Sequence, residues 1–181
     1  SDLPYKHDFR FEVMQEDIEY SPYLSKVYDF CPAPGQFVNT MPEYEEGDTK
    51  ETILKKVEEN ISGTNDVMIS LGGYGGYVIF GFDHTVINVK GKKDFMILGN
   101  SFYSDLPEYQ EKKGGSCEPG IVMVSFDTNL NGLLDDEWYE LAGSEYYKPE
   151  TIKNYRITYD RPDPNKIPEP DMGQQWSDAT Y

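Results

Sequence analysis

One feature of the chain limits its fold more than any other. Short runs of β-branched and aromatic residues follow one another, cut by Gly, Pro, Asn or Asp, and only one stretch is long enough and periodic enough for a helix. The runs are KVYDF, DVMISL, YVIFGF, DFMILGN, GIVMVSF, EWYELA and NYRITYD. Each has strand length and strand composition, and the residues between them are turn formers. Near the start, FRFEVMQ places Phe9, Phe11 and Val13 on one face and Arg10 and Glu12 on the other, the period of a half-buried strand. With few helical segments between strands, a parallel βαβ sheet is disfavoured. Apolar runs such as IVMV suit strands covered on both faces. The expected fold is therefore mainly all-β, an antiparallel β-sandwich of jelly-roll type with one short amphipathic helix.

The helix lies in DTKETILKKVEENISG. Asp48 and Glu51 have the spacing of a reciprocal capping pair, Ile53, Leu54, Val57 and Ile61 share one side, and Gly63 stands where the helix should stop. Pro32 and Pro34 end the pairing of KVYDF. Residues 1–160 read as one sandwich domain. Residues 161–181, RPDPNKIPEPDMGQQWSDATY, read as a Pro-rich extended tail or the start of a further segment, with Trp176 as an anchor.

The chain carries 33 acidic and 16 basic residues, a formal charge of -17, which opposes nucleic-acid binding and favours a cation partner. The mean hydropathy of -0.67 fits a soluble chain with no transmembrane run. The cation has an obvious address. In FDTNLNGLLDDEWYEL, Asp127, Asn129 and Asn131 alternate, Gly132 follows, Leu133 can offer its carbonyl, and Asp135 and Asp136 close the series. Alternating oxygen-bearing side chains before a glycine are what a calcium loop requires. Trp138 stands where an EF-hand has its bidentate Glu, and the flanks look like strands. The expectation is a structural calcium loop between two strands, closed by Asp136 or by a more distant carboxylate such as Glu140. The competing reading is a polar hairpin, for which Asn-Gly is a strong signal.

Other candidates are weaker. SLGGYGGYVIFGF has four glycines in five positions but lacks the Lys-Ser/Thr of a phosphate loop, so tight turns or close backbone packing explain it better. Tyr74 between the glycine pairs, with Tyr77, Tyr103, Tyr109 and Trp138, could form a stacking platform for a sugar. Asn100 and Glu118 flank the loop SFYSDLPEYQEKKGGSC and could share the rim of a polar pocket. Asp83 and His84, as strand neighbours, should face opposite ways and form no dyad. His7 is the only other histidine, and neither a GxSxG elbow nor an HExxH helix is present. Cys31 and Cys117 are not a CxxC pair. They are compatible with one disulfide or with two free thiols.

Taken together, SLGGYGGYVIFGFDHTV, KDFMILGNSF and EPGIVMVSFDTNLNGLLDDEWYELAGSE, preceded by PAPGQFVNTMP, resemble a module of cell-surface lipoproteins from Bacteroides-type bacteria, often found beside PKD-like or Ig-like domains. The resemblance spans roughly Val27 to Tyr159. It implies a secreted β-sandwich on the extracellular face of the outer membrane, tethered through a lipidated cysteine upstream, with calcium held by Asp127, Asn129, Asn131 and Asp136. A Cys31–Cys117 bridge would suit that compartment. It supplies no catalytic residues. The expected function is a non-catalytic binding module for a glycan or another small nutrient, with neighbouring surface domains or proteins as possible partners. The alternatives are a glycoside hydrolase or esterase-like enzyme, a structural spacer or adhesion domain, and an accessory protein of vitamin B12 uptake.

Overall fold

A computed structural model describes residues 19–107, 114–160, 163 and 165. The expected strand at Phe9–Val13, His7, Tyr109 and nearly all of the tail with Trp176 lie outside the described residues. Described strands outnumber helices. β1 (Lys26–Cys31), β2 (Tyr77–Gly81), β3 (Ser101–Tyr103), β4 (Gly115–Cys117), β5 (Met123–Ser125) and β6 (Trp138–Glu140) form three two-stranded antiparallel sheets, β1–β2, β3–β4 and β5–β6. One helix, α1 (Lys50–Ile61), lies between β1 and β2 in the chain. The fold thus leans all-β. The described residues fall into two compact units, one running to Gly72 and resuming over Gly76–Thr85, the other taking Gly73–Gly75 and continuing from Val86.

The first unit holds the core. Val27, Phe30, Ile53 and Val57 are buried together, with Leu54, Ile61, Val78 and Phe80 packed against them. Strict alternation along β1 would place Val27 and Phe30, three apart, on opposite faces. A bulge resolves this. Val27 pairs with Phe80 and Asp29 with Ile79, so Tyr28 is the extra residue, and Phe30 then pairs with Val78. Val78 and Phe80 share a face of β2, and the bulge brings Val27 and Phe30 onto it together.

The capping expectation needs correction by one residue. The N-cap of α1 is Thr49, whose Oγ1 accepts from the Thr52 amide while the Thr49 amide donates to Thr52 Oγ1 at 2.8 Å. Threonine at both ends of the box satisfies the Thr52 and Thr49 amides, each one residue beyond the amides that an Asp48–Glu51 box would satisfy. Asp48, released from capping, accepts from the Glu45 amide and from Lys56 Nζ, both at 2.8 Å. Gly63, with φ of 73°, follows the helix as expected, and its amide donates to the Leu24 carbonyl.

Carboxylates help join α1 to β1. Glu58 accepts from the Val27 amide at 2.9 Å and pairs with Lys26, and Lys50 pairs with Asp29 at 2.9 Å. The Val27 amide, then Lys26, holds Glu58 below the usual carboxylate range, and Lys50 does the same for Asp29. A folded-state value below the unfolded one means that this stability is complete above the unfolded pKa, about 4. It is lost as pH falls through the folded values. The urea midpoint of the first unit should therefore drop on acidification below about pH 4.5, and Glu58→Gln should shallow that dependence. Parallel wild-type and mutant pH profiles would contradict the assignment.

Three expected strands are not strands. DVMISL makes single bonds instead of a ladder, from the Ser70 amide to the Met41 carbonyl and from the Ala33 amide to the Leu71 carbonyl. In DFMILGN, Asp94 accepts from the Val89 amide and so serves a turn, while Met96, Ile97 and Leu98 are exposed. NYRITYD is held through tyrosine hydroxyls, as described below. Among the described residues of the second unit none is buried, and Ile121 of IVMV is 67% exposed, so its expected two-sided cover is not seen there. Three-residue strands in isolated pairs enclose little volume.

Candidate functional site

The β5–β6 ladder pairs Ser125 with Trp138, so the residues between them form the loop that closes a hairpin. This explains the missing EF-hand glutamate: Trp138, the twelfth position counted from Asp127, is the first residue of β6. Inside the loop the alternating side chains turn onto the loop's own backbone. Asp127 Oδ1 accepts from the Asn131 amide at 3.1 Å, and its Oδ2 accepts from Gly132 at 2.8 Å. Asn129 Oδ1 shares the Asn131 amide at 3.0 Å, and Asn131 Oδ1 accepts from Leu133 at 2.8 Å. Asn131 Nδ2 donates to both oxygens of Asp135, at 3.3 and 3.2 Å. Left-handed backbone at Leu130 (φ 57°) and Gly132 (φ 72°) lets the chain wind this tightly.

Asp136 is placed differently. Its Oδ1 accepts from the Thr128 amide at 3.3 Å and from the Thr128 hydroxyl in a short contact. Its Oδ2 is buried and has no hydrogen-bond partner. A buried carboxylate oxygen without a donor costs free energy that a cation would offset. The segment cannot supply that cation, because Gly114 to Tyr147 contains no Lys, Arg or His and seven acidic residues.

The donor set suits calcium, which takes oxygens from carboxylates, Asn side chains and carbonyls alike. Asp127, Asn129, Asn131, Asp135 and Asp136 would hold it, with the Leu133 carbonyl available. Among the described residues no three His, Cys, Asp or Glu side chains already stand as one ligand group. Amide oxygens would therefore have to supply part of the coordination.

The other candidates separate. Asn100 and Glu118 come together as the sequence suggests: Asn100 Nδ2 donates to Glu118 Oε2 at 2.8 Å, and the Glu118 amide donates to the Asn100 carbonyl. They close the open end of the β3–β4 pair, in which Ser101 faces Cys117. Tyr103 on β3 is 74% exposed.

Tyr77 belongs to the first unit, where its hydroxyl donates to Asp29 Oδ2 at 2.9 Å. Tyr74, in the second unit, donates to the Tyr155 carbonyl at 3.0 Å, and Tyr159 donates to the Tyr74 carbonyl at 2.9 Å. The Tyr74 and Tyr155 rings meet edge to face, with centroids 5.4 Å apart. Tyr155 and Tyr159 were missing from the sequence candidates. Their signal was spacing: positions 155, 157 and 159 share a face of an extended chain.

Asp83 and His84 also differ from expectation. His84 Nδ1 lies 2.6 Å from Asp83 Oδ1, and Asp83 Oδ2 accepts from the Ser21 amide at 3.0 Å. β2 ends at Gly81, so the alternation that would separate these neighbours no longer applies. The His84 ring packs near Tyr20 and Phe82. Cys31 and Cys117 are free, exposed thiols in different units.

No family model matches the chain, and no curated protein does. Among the described residues, no helix is long and apolar enough to cross a membrane.

Proposed function

We propose that the chain is a non-catalytic, calcium-stabilised binding module of the Bacteroides-type cell-surface lipoprotein kind, an antiparallel β-sandwich of jelly-roll type that offers loop tyrosines to a carbohydrate or similar nutrient. One observation carries the calcium part. The Asp127–Asp136 loop is built from oxygen-bearing side chains, and the buried Oδ2 of Asp136 lacks any donor. Support for the ligand part is the set of half-exposed tyrosines in the second unit. Tyr74 and Tyr155 expose 46% and 52% of their surface, and the Tyr74 hydroxyl is held by a backbone carbonyl, which fixes its ring. A fixed, exposed aromatic ring is the surface that a sugar's C–H face stacks on.

The test is a glycan array and a cobalamin-binding screen, run with and without chelator. The expected result is retention of a glycan, weakened by Tyr74→Ala and by chelation. Cobalamin retention instead would place the module in vitamin B12 uptake. If neither ligand is retained at high protein concentration, the spacer reading replaces this one.

A hydrolytic reading has one observation in its favour, the Asp83–His84 pair. It would need a nucleophile at the imidazole. Release of product from an aryl ester or aryl glycoside by the wild type, abolished in His84→Ala, would establish it.

A further inference from the structure

We propose that the turn around Lys90–Lys93 is a docking site for an anionic lipid surface. Lys90, Lys92 and Lys93 meet the headgroups, and Ile87, Met96 and Leu98 enter the boundary between headgroups and acyl chains. The inference goes beyond the binding reading above and stands on other residues.

In a chain where acids outnumber bases by 33 to 16, residues 86–98 run the other way, with three lysines and one acid, Asp94. A turn gathers them. The Lys92 amide donates to the Val89 carbonyl at 3.0 Å, and Asp94 Oδ1 accepts from the Val89 amide at 3.0 Å. Gly91, with φ of 80°, lets the chain reverse between the lysines. The one local acid is thus engaged with backbone.

Cations elsewhere are taken. Among the described residues, Lys26, Lys50, Lys55, Lys56 and Lys148 each pair with a carboxylate, and Lys153 lies over the Tyr146 ring. Lys90, Lys92 and Lys93 are exposed, and their side chains have no ion-pair partner among those residues. Three unpaired ammoniums on one turn of an acidic chain call for an anion from outside it.

The side chains choose a lipid surface among anions. Lysine is a point charge on a flexible stem, without the planar fork that arginine uses to grip one carboxylate or phosphate, so it suits a diffuse layer of charge. The apolar neighbours are aliphatic or thioether and well exposed, Ile87 at 73% and Met96 at 70%. Apolar side chains beside lysines are what a bilayer interface takes up. A sugar would need an exposed ring, and Phe95, the one aromatic residue in 86–98, is partly buried. The charge of -17 on the whole chain repels the same surface, so screening decides the outcome. At roughly 0.1 M salt the Debye length is about 10 Å, which lets lysines at the surface act while distant acids do not.

The experiment is sedimentation of the whole chain with vesicles of phosphatidylserine in phosphatidylcholine, and of phosphatidylcholine alone, in chelator at about 0.1 M salt. Chelator keeps calcium from bridging acids to headgroups, so the result is independent of the calcium reading. The chain should sediment with the serine-containing vesicles alone, and about 1 M salt should release it. Each lysine is worth about fivefold, so the triple variant Lys90→Gln, Lys92→Gln, Lys93→Gln should bind roughly a hundredfold more weakly. The same three positions changed to Arg should keep the binding. Ile87→Ser with Met96→Ser should weaken it about tenfold and leave the salt dependence in place.

Equal sedimentation with neutral vesicles, or none with either, overturns the proposal. So does a triple Gln variant that binds like the wild type, or a triple Arg variant that binds as poorly as Gln. Full binding by the double Ser variant removes the apolar half and with it the lipid assignment. Retention on heparin or polyglutamate beads without vesicle binding would make the turn a site for a soluble polyanion instead.

Discussion

Chelation should lower the melting temperature of the wild type and leave Asp127→Ala where it stands without calcium. Asp127 is the first residue of the loop and orients the amides of both Asn131 and Gly132. Its loss removes one ligand and the geometry of the next. An ion present at a hundred times its dissociation constant stabilises the folded form by about 2.7 kcal/mol, and that increment is what the mutant should lack. Trp138 begins β6 directly after the loop, so its fluorescence should follow calcium uptake locally even though the chain has two units. A melt that neither chelator nor excess calcium moves would return the loop to a plain polar hairpin.

The second large effect is steric. Gly76→Ala would place a methyl carbon 1.8 Å from the Leu71 carbonyl oxygen and 2.7 Å from the Ala33 nitrogen. Those two atoms belong to an existing bond, Ala33 amide to Leu71 carbonyl, at 3.0 Å. Both obstacles are backbone and cannot turn aside as a side chain would. The expected cost is about 2–4 kcal/mol, from overpacking together with the lost bond. Gly63→Ala is the control: its φ of 73° makes alanine uncomfortable, but nothing lies within 4 Å of the added carbon. It should cost only about 1–2 kcal/mol. Urea unfolding followed by the helical signal of α1, which lies in the same unit, separates the two. Equal midpoints would mean that the backbones around Gly76 are not packed as closely as described.

Some of this was legible from residues alone. The helix could be read because its apolar spacing and its terminal glycine are local signals, and the structure moves only the cap, from Asp48 to Thr49. The β5 and β6 flanks of the acidic loop were readable for the same reason. Asn100 and Glu118 were readable because both border a turn-rich stretch, which places them at matching ends of a hairpin.

What could not be read depends on distant partners. DVMISL has strand composition, yet whether it forms a ladder depends on which backbone lies beside it, and it receives only isolated bonds. The acceptors of the Tyr74 and Tyr77 hydroxyls are far away in sequence, the Tyr155 carbonyl in one case and Asp29 in the other. The Asp83–His84 contact was hidden by assuming that the alternation of β2 continued past its last paired residue.

The extra residue in β1 gives the strand a spare position. Tyr28 has no pairing partner, so many side chains could stand there without disturbing Val27 or Phe30. Even its removal would leave Val27, Asp29 and Phe30 opposite Phe80, Ile79 and Val78 in an unbroken ladder, with Val27 and Phe30 on one face as before. The polypeptide thus carries a slack link here, one that can be respelled or dropped while the two core side chains keep their places.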